Sequence, residues 1–200
     1  MHLYFVRHGE SEANTRHVIS NRASPFGLTE RGQEQAKILA GNLADIPLTS
    51  IYSSPIPRAR ETADILSRSL GMAYQVTEAL REYDCGVLEE RSDDEAWQLH
   101  RRYYEDWTLR HDFLNKPEGG ESFVEIQNRF LPFIEFLKKS NESHVLLVGH
   151  GGIFHLILPL ILTDIDNGFV RSHGIGHTEC IVAELTSDGF VCRQWGAVRF

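Results

Sequence analysis

Residues 3–11 read LYFVRHGES, an apolar run that ends in an arginine, a histidine and a glycine. Residues 145–153 read VLLVGHGGI, a second apolar run that ends in a histidine followed by glycines. Short, continuous apolar runs are typical of strands that are covered on both faces, as in a parallel sheet. Ligands of open α/β sheets bind beyond the carboxyl ends of the strands. Both histidines are therefore predicted to lie at the edge of the sheet where a ligand would bind.

The rest of the chain alternates strand and helix patterns. Predicted strands cover residues 3–6, 50–53, 74–76, 144–149, 178–185 and 190–195. Thr29 is a predicted N-cap, Pro57 can open a helix, and Ser122 with Glu125 fits a capping box. The alternation predicts an α/β fold, a three-layer sandwich whose mostly parallel sheet is flanked by helices and can carry an antiparallel edge. No repeat or linker interrupts it, so we expect a single domain over residues 1–200.

Composition narrows the classes of partner. The net charge of −8 argues against a nucleic-acid-binding protein, which needs a basic surface. The longest apolar run, 153–162, is too short to span a bilayer and contains Pro159, so no membrane partner is expected. Met1 leads directly into the first predicted strand without room for a signal peptide, which predicts a cytoplasmic location.

Cationic and imidazole side chains converge on the predicted sheet edge. Arg7, His8, His150 and the backbone of Gly151 follow the two apolar strands, and Arg58 follows the strand at 50–53. Arg58 falls in the first turn of a predicted helix, where the helix dipole disfavours a cation by about 0.5 kcal/mol. Each side chain alone is most simply a solvated surface group, and spacing alone does not separate Arg58 from Arg60. Together at one edge, they favour a site for an anion.

Two guanidinium groups with two imidazoles suit phosphoryl chemistry. Guanidinium groups bind phosphate oxygens in pairs, and a neutral imidazole can attack phosphorus. Departure of an alcohol also requires a proton donor, commonly a carboxylic acid of raised pKa. Glu82 is a candidate, and Asp84, Glu89 and Glu90 are alternatives that spacing leaves open.

Five segments together resemble the histidine phosphatase superfamily, which contains the cofactor-dependent phosphoglycerate mutases. They are VRHGESEAN, GLTERGQEQA, IYSSPIPRARETA, LREYDCGVLEE and VLLVGHGG, in that order, within residues 3 to about 152. The resemblance implies a mostly parallel sheet between helices and no metal or other cofactor. Two segments depart from the family pattern. Relatives often carry a glycine near Asn21, and a Trp-Glu-Gly-like ending where this chain has residues 87–90. These departures put the identity of the substrate in doubt.

The resemblance also implies roles for single residues. It identifies His8 as the residue that becomes phosphorylated, Glu82 as the general acid, and Arg7, Arg58 and His150 as groups that hold the transferring phosphoryl. Asn14 and Gly151 are implied to line the phosphate pocket, and Ser20 and Asn21 to contact substrate. We add Arg22 and His173 as predicted rim residues.

The segment SHGIGHT, 172–178, places His173 and His177 four residues apart, a spacing that can bind a metal ion on a helix. Its two glycines disfavour a helix, so a loop that contacts substrate is the preferred interpretation. Residues 108–121 lack periodicity and are predicted to form a loop, with a lid as one role in which Arg101, Arg102 or Arg110 reaches a second anionic group.

These features predict a phosphoric monoester hydrolase of the histidine acid phosphatase type, acting on a small phosphorylated metabolite. A cofactor-dependent phosphoglycerate mutase is the main alternative, because it uses the same pocket to return the phosphoryl to another hydroxyl. The chain is short between the acid and the second histidine, where mutases generally carry extra segments, and this favours hydrolysis. A non-catalytic protein that binds phosphorylated ligands is the third hypothesis. A homodimer is compatible with the sequence.

Overall fold

A computed structural model describes residues 1–22 and 25–200. In these residues, one sheet has the strand order β3-β2-β4-β1-β5-β6-β7. The strands are β1 (His2–Arg7), β2 (Ser50–Ser53), β3 (Tyr74–Val76), β4 (His144–Gly149), β5 (Cys180–Thr186), β6 (Gly189–Trp195) and β7 (Val198–Arg199). The first four strands pair in parallel, and β5, β6 and β7 add an antiparallel edge.

Helices cover both faces of the sheet. They are α1 (Glu12–Thr15), α2 (Glu30–Leu43), α3 (Pro57–Leu70), α4 (Asp94–Thr108), α5 (Phe123–Lys139), α6 (Gly151–Ile161) and α7 (Asn167–Ser172), with short 3₁₀ turns at Glu78–Leu80 and Gly86–Leu88. Alternate residues of β1 point to opposite faces. Tyr4 and Val6 pack with α2 and α3, whereas Leu3 and Phe5 pack with α4, α5 and α6. The predicted three-layer α/β sandwich is confirmed.

The order of the strands determines where a cleft opens. From β1 the chain crosses to β2 through α2, and from β4 it crosses the other way to β5 through α6, although β1 and β4 are neighbours. Consecutive connections thus leave the sheet in opposite directions between these two strands. This is the topological switch point at which open α/β sheets bind ligands. The residues that follow β1 and β4, His8 and His150, lie on either side of it.

Most predicted boundaries are confirmed. The bounds of β2, β3 and β4 are as predicted, Thr29 caps α2 through Gly32, and Ser122 and Glu125 form the capping box of α5. The prediction that a strand begins at Thr178 is wrong. Thr178 has a φ of 57°, in the left-handed region, which a β-branched residue adopts only under tertiary constraint and which cannot continue a strand.

The described residues contain no helix of the length and apolar character needed to cross a membrane.

Candidate active site

His8 follows β1 and is held in one orientation. Its Nδ1 donates a hydrogen bond to the carbonyl of Gly9 at 2.7 Å, because a carbonyl can only accept. In the neutral ring, the lone pair therefore resides on Nε2, which accepts a hydrogen bond from Arg58 Nε at 2.9 Å. Burial, and after it the charges of Arg58 and Arg7, hold the pKa of His8 well below its ordinary value. The imidazole is thus neutral, with its lone pair on Nε2.

Close backbone packing keeps the loop after β1 in place. A Cβ on Gly9 would lie 2.5 Å from the carbonyl oxygen of Gly32, and one on Gly32 would lie 2.0 Å from that of Glu10. The N-terminal turn of α2 can therefore rest on the loop only because both residues are glycines. This packing links two of the segments noted in the sequence, VRHGESEAN and GLTERGQEQA.

Arg58 lies in the first turn of α3 and is only 5% exposed. Its Nη1 donates to the carbonyl of Ser20, and its Nε donates to His8. Burial lowers the pKa of Arg58 to about 10, so the guanidinium stays charged at neutral pH. Arg60, two residues further on, is exposed and lies outside the pocket. The ambiguity left by the sequence is therefore resolved in favour of Arg58.

Arg7 supplies the second guanidinium. Its Nη1 donates to the carbonyl of Ile175 at 2.7 Å, and its Nη2 lies 3.1 Å from Nε2 of His177. Its Nε is buried and has no hydrogen-bond partner. An unpartnered buried donor on a cation is costly unless a ligand satisfies it. Arg7 lines the pocket, so an anion there could accept this hydrogen bond.

His150 is fully buried between the end of β4 and α6. Its ring centroid is 5.1 Å from that of His8, and its Nε2 lies 2.7 Å from the hydroxyl of Ser54. Its Nδ1 has no partner. Burial, followed by the charge of Arg58, holds the pKa of His150 well below its ordinary value. His150 lies behind the open pocket and is not among the residues that line it.

Glu82 is the carboxyl group at this site. It is 7% exposed, and its two oxygens accept hydrogen bonds from the backbone N–H groups of Tyr83 and Gly152. Burial raises the pKa of Glu82, while the charge of Arg58 opposes the shift. A Cβ on Gly152 would lie 2.8 Å from a Glu82 carboxylate oxygen, so this close approach requires glycine. The environment favours a carboxyl group that can carry a proton.

The three alternative acids lie elsewhere. Asp84 pairs with Arg22, Glu89 accepts hydrogen bonds from backbone N–H groups of Asn21 and Cys85, and Glu90 is exposed. None of the three lines the pocket that holds His8, whereas Glu82 does.

His177 is a site residue that the sequence did not single out for this role. Its ring centroid is 5.9 Å from that of His8, and its Nε2 lies 3.1 Å from both Arg7 Nη2 and Asn14 Oδ1. Burial, followed by the charge of Arg7, lowers its pKa to about 4, so it is neutral. One neutral ring nitrogen either donates or accepts, so it satisfies Arg7 or Asn14 but not both. The signal available in the sequence was its position just before the last long strand pair.

Two predicted rim residues do not line the pocket, Arg22 and His173. Arg22 donates to Asp84 and to the carbonyl of Gly119, and it is exposed. His173 lies at the end of α7 with its ring stacked on Phe169 at 4.0 Å. The described residues contain no cluster of three or more His, Cys, Asp or Glu side chains that could hold a metal ion.

The other predicted residues do line the pocket: Asn14, Gly151, Ser20 and Asn21. The Asn14 side chain accepts hydrogen bonds from the backbone and hydroxyl of Ser11, which caps α1. Asn21 donates from its side chain to Cys85 Sγ and from its backbone to Glu89. The segment after α1 is thereby tied to the segment after Glu82.

The pocket has a volume of about 300 Å³ and extends beyond these charged groups. Tyr83, Trp97, His100 and His155 line its remainder, together with apolar side chains of Val18, Ile19 and Ile175. Trp97 and His100 come from the first half of α4. The 108–121 loop contributes no lining residue, and Arg110 pairs with Asp106 and Glu105. The structure thus does not place the predicted lid over this pocket.

Comparison with known proteins identifies relatives of this arrangement. The family model of the histidine phosphatase superfamily (branch 1) matches residues 3–198. "Putative phosphoserine phosphatase 2" of Hydrogenobacter thermophilus is 34% identical over 80% of this chain and 77% of its own. The adenosylcobalamin/alpha-ribazole phosphatase of Salmonella typhimurium is 32% identical over 82% and 80%. "Probable phosphoglycerate mutase GpmB" of Salmonella choleraesuis is 31% identical over 81% and 75%.

A solved structure shares the fold throughout. The mycobacterial glucosyl-3-phosphoglycerate phosphatase in complex with VO3 superimposes with a TM-score of 0.83 at 25% identity, covering 98% of this chain and 99% of the other. The family match extends over nearly the whole chain, beyond the segments that carried the resemblance in the sequence. This chain belongs to the histidine phosphatase superfamily.

Proposed function

We propose that the protein is a phosphomonoester phosphatase that works through a phosphohistidine on His8. The observation that carries the proposal is a pair of buried, unpartnered polar atoms, Arg7 Nε and His150 Nδ1, in the residues around a neutral His8. Buried polar atoms are nearly always satisfied. Arg7 Nε can only donate, and His150 Nδ1 donates when its Nε2 accepts from the Ser54 hydroxyl, so together they favour a ligand rich in acceptor oxygens. A phosphoryl group has such oxygens, and two guanidinium groups balance its charge.

The first displacement forms a bond between His8 Nε2 and phosphorus and breaks the ester P–O bond. Arg58 donates to the same nitrogen when no substrate is bound, so the phosphoryl group must take over that hydrogen bond before attack. Arg7 and Arg58 line the pocket and stabilise charge on the equatorial oxygens, and His150, whose ring lies 5.1 Å from that of His8 behind the pocket surface, is the third proposed donor through Nδ1. Glu82 gives its proton to the departing alcohol oxygen.

The second displacement releases inorganic phosphate. Glu82, now ionised, accepts a proton from a water molecule that attacks phosphorus and breaks the P–N bond. The electron pair of that bond returns to His8 Nε2, and Glu82 is left protonated for the next cycle. The raised pKa of Glu82 supports the acid role, because burial favours the protonated carboxyl.

A phosphoglycerate mutase is the second candidate, and the relative of Salmonella choleraesuis favours it. A mutase would retain the alcohol and return the phosphoryl to another hydroxyl. A phosphatase is preferred because the chain lacks the extra segments that mutases generally carry between the acid and the second histidine. Release of inorganic phosphate from 3-phosphoglycerate in place of 2-phosphoglycerate formation would distinguish the two activities.

Trapping the covalent intermediate tests the proposal. The protein is mixed with a ³²P-labelled phosphomonoester and quenched in alkali, in which phosphohistidine survives. We expect label on the peptide that contains His8, and none in the His8→Ala variant. That variant should also lose turnover by about 10⁴-fold or more, since removing a nucleophile leaves only binding and electrostatics.

The control is binding without chemistry. His8→Ala should retain the thermal unfolding temperature of the wild type to within a few degrees and should still bind inorganic phosphate. Two results would overturn the mechanism: turnover by wild-type protein that acquires no label on His8, or full turnover by the His8→Ala variant.

A further inference from the structure

The part of the pocket that the phosphoryl group does not use differs in chemical character from the part that it does. It is lined by the rings of Tyr83, Trp97, His100 and His155. We call these four rings the ring wall. Both arginines that line the pocket, Arg7 and Arg58, lie at the phosphoryl end. A second anionic group of a substrate, placed against the ring wall, would therefore find no cation there among the described residues that line the pocket.

Each ring of the wall is neutral. Burial lowers the pKa of His100 to about 4, and burial followed by the charge of Arg7 lowers that of His155 to about 4. Burial raises the pKa of Tyr83 well above its ordinary value. A carboxylate placed against these rings would lose hydration without gaining a charged partner, which is costly.

Most of the wall is already positioned before a ligand arrives. Trp97 Nε1 donates to the carbonyl of His17 at 2.7 Å, and Tyr83 Oη lies 2.8 Å from His100 Nε2. Trp97 packs edge-on against His100 with centroids 5.2 Å apart. Rings fixed in this way can present an apolar surface to a ligand at little entropic cost.

His155 is the exception, because its Nε2 is buried and has no partner. A hydrogen bond to the backbone of His173 raises its pKa, so His155 donates there, and it must do so through Nδ1. The neutral ring then carries its lone pair on Nε2. A buried acceptor without a donor on a pocket-lining residue is a position that a ligand can satisfy.

We propose that the ring wall is the leaving-group subsite, and that it selects an uncharged leaving group with an apolar or ring-shaped surface and a hydroxyl or N–H that donates to His155 Nε2. This inference rests on the proposed phosphatase function. It assigns His155 and Trp97 as specificity-determining residues and disfavours leaving groups that carry a carboxylate.

Nearby cations do not change this assignment. Arg101 and Arg171 line a separate cavity of about 240 Å³ that shares only His155 with the pocket. That cavity also contains Glu105, which offsets part of their charge. A long substrate that placed an anion there would have to pass His155.

Three phosphate esters of matched leaving groups test the inference: 4-(hydroxymethyl)benzyl, 4-methylbenzyl and 4-carboxybenzyl phosphate. They share the same reacting oxygen and ring and differ only in the para substituent. We expect kcat/KM to be highest for the hydroxymethyl ester, about fivefold lower for the methyl ester, which lacks the donor, and about 100-fold lower for the carboxylate.

Two variants connect the preference to named residues. His155→Leu should remove the preference for hydroxymethyl over methyl, so that the ratio of the two kcat/KM values falls from about five to about one, since the acceptor is lost. Trp97→Arg should raise kcat/KM for the carboxylate relative to the methyl ester by about tenfold, since it supplies the missing cation.

The outcomes separate the two proposals. Absence of turnover on all three esters, together with no label on His8, would overturn the phosphatase function. Turnover of all three at equal kcat/KM, or a preference for the carboxylate, would overturn the ring-wall inference and leave the phosphatase function intact. A hydroxymethyl preference that survives in His155→Leu would overturn the assignment of His155.

Discussion

At one end of the pocket, the side chains are cations and imidazoles from the end of β1, the first turn of α3 and the end of β4. At the other end, they are neutral rings from the segment before α4, from α4 itself and from α6. At the phosphoryl end, His8 and Arg58 touch each other, and Arg7 and His150 each keep one unpartnered polar atom. At the ring wall, only His155 keeps such an atom. Under the proposed function, this difference separates the chemistry common to phosphate monoesters from the recognition of one particular alcohol.

The charges of Arg7 and Arg58 repel one another at the phosphoryl end, and burial lowers the pKa of Arg58 to about 10. Under the proposed function, a phosphate dianion would relieve this repulsion, so the phosphoryl end should contribute binding energy to any phosphomonoester. The ring wall holds no such charge, so it can discriminate among leaving groups without competing for the phosphate.

Arg58→Ala should produce the largest effect among simple variants that keep the nucleophile. We expect kcat/KM to fall by about 10³-fold on every phosphomonoester, because the variant removes the buried guanidinium that would stabilise charge on the transferring phosphoryl group. Arg60→Ala is the matched control two residues along the same helix, and its exposed side chain predicts a change of less than about twofold. Steady-state kinetics on two unrelated esters provides the measurement. Equal losses in the two variants would contradict the separation of the phosphoryl end from the surface.

Glu82→Gln should sharpen the comparison, because its effect depends on the leaving group. Gln keeps the shape of the side chain but cannot donate a proton from a carboxyl. An alkyl phosphate should lose about 10²–10³-fold in kcat/KM, because its alkoxide needs protonation. 4-Nitrophenyl phosphate should lose tenfold or less, because nitrophenolate leaves unaided. Losses of the same size on both substrates would show that Glu82 acts on the phosphoryl group and not on the alcohol.

The pH profile of kcat/KM should be bell-shaped, with an acid limb set by His8 and an alkaline limb set by Glu82. His8 must be neutral to attack, and its lowered pKa moves the acid limb well below the ordinary histidine value. Glu82 must be protonated in the first step, so activity falls as pH rises through its raised pKa. Each limb changes by about tenfold per pH unit. In Glu82→Gln the alkaline limb should disappear, and an optimum above pH 8 in the wild type would contradict this assignment.

The phosphoryl end could be predicted from the sequence because short-range rules place it. A strand end fixes the position of the residue that follows it, so His8 and His150 could be predicted from two apolar runs. The first turn of a helix made Arg58 a candidate, although spacing alone did not separate it from Arg60. Only the resemblance separated Glu82 from its rivals, since that choice depends on which carboxyl reaches the N-terminus of α6. Gly152, whose hydrogen atom leaves room for the carboxylate, is the local feature that decides it.

The ring wall could not be predicted because long-range packing assembles it. Trp97 and His155 are 58 residues apart, and nothing in the spacing of α4 shows which face meets the pocket. Within α4, Trp107 is buried in the core, whereas Trp97 and His100 line the pocket. The sequence also could not show which histidine of the 172–178 segment would reach the site. The loop ends in a left-handed backbone at Thr178, and His177, not His173, lies beside Arg7.

His177→Asn should have the smallest effect and tests how much support the phosphoryl end needs. Arg7 keeps its hydrogen bond to the carbonyl of Ile175 in this variant, so the guanidinium remains near its position. Because His177 does not contact the reacting atoms directly, we expect KM to rise by about threefold to tenfold while kcat changes by less than about twofold. A His177→Gln variant, which restores a longer polar side chain, should recover part of the loss in KM. A loss concentrated in kcat would instead place His177 in the chemical step. His177 would then belong to the catalytic groups around His8, and not to the residues that only position Arg7.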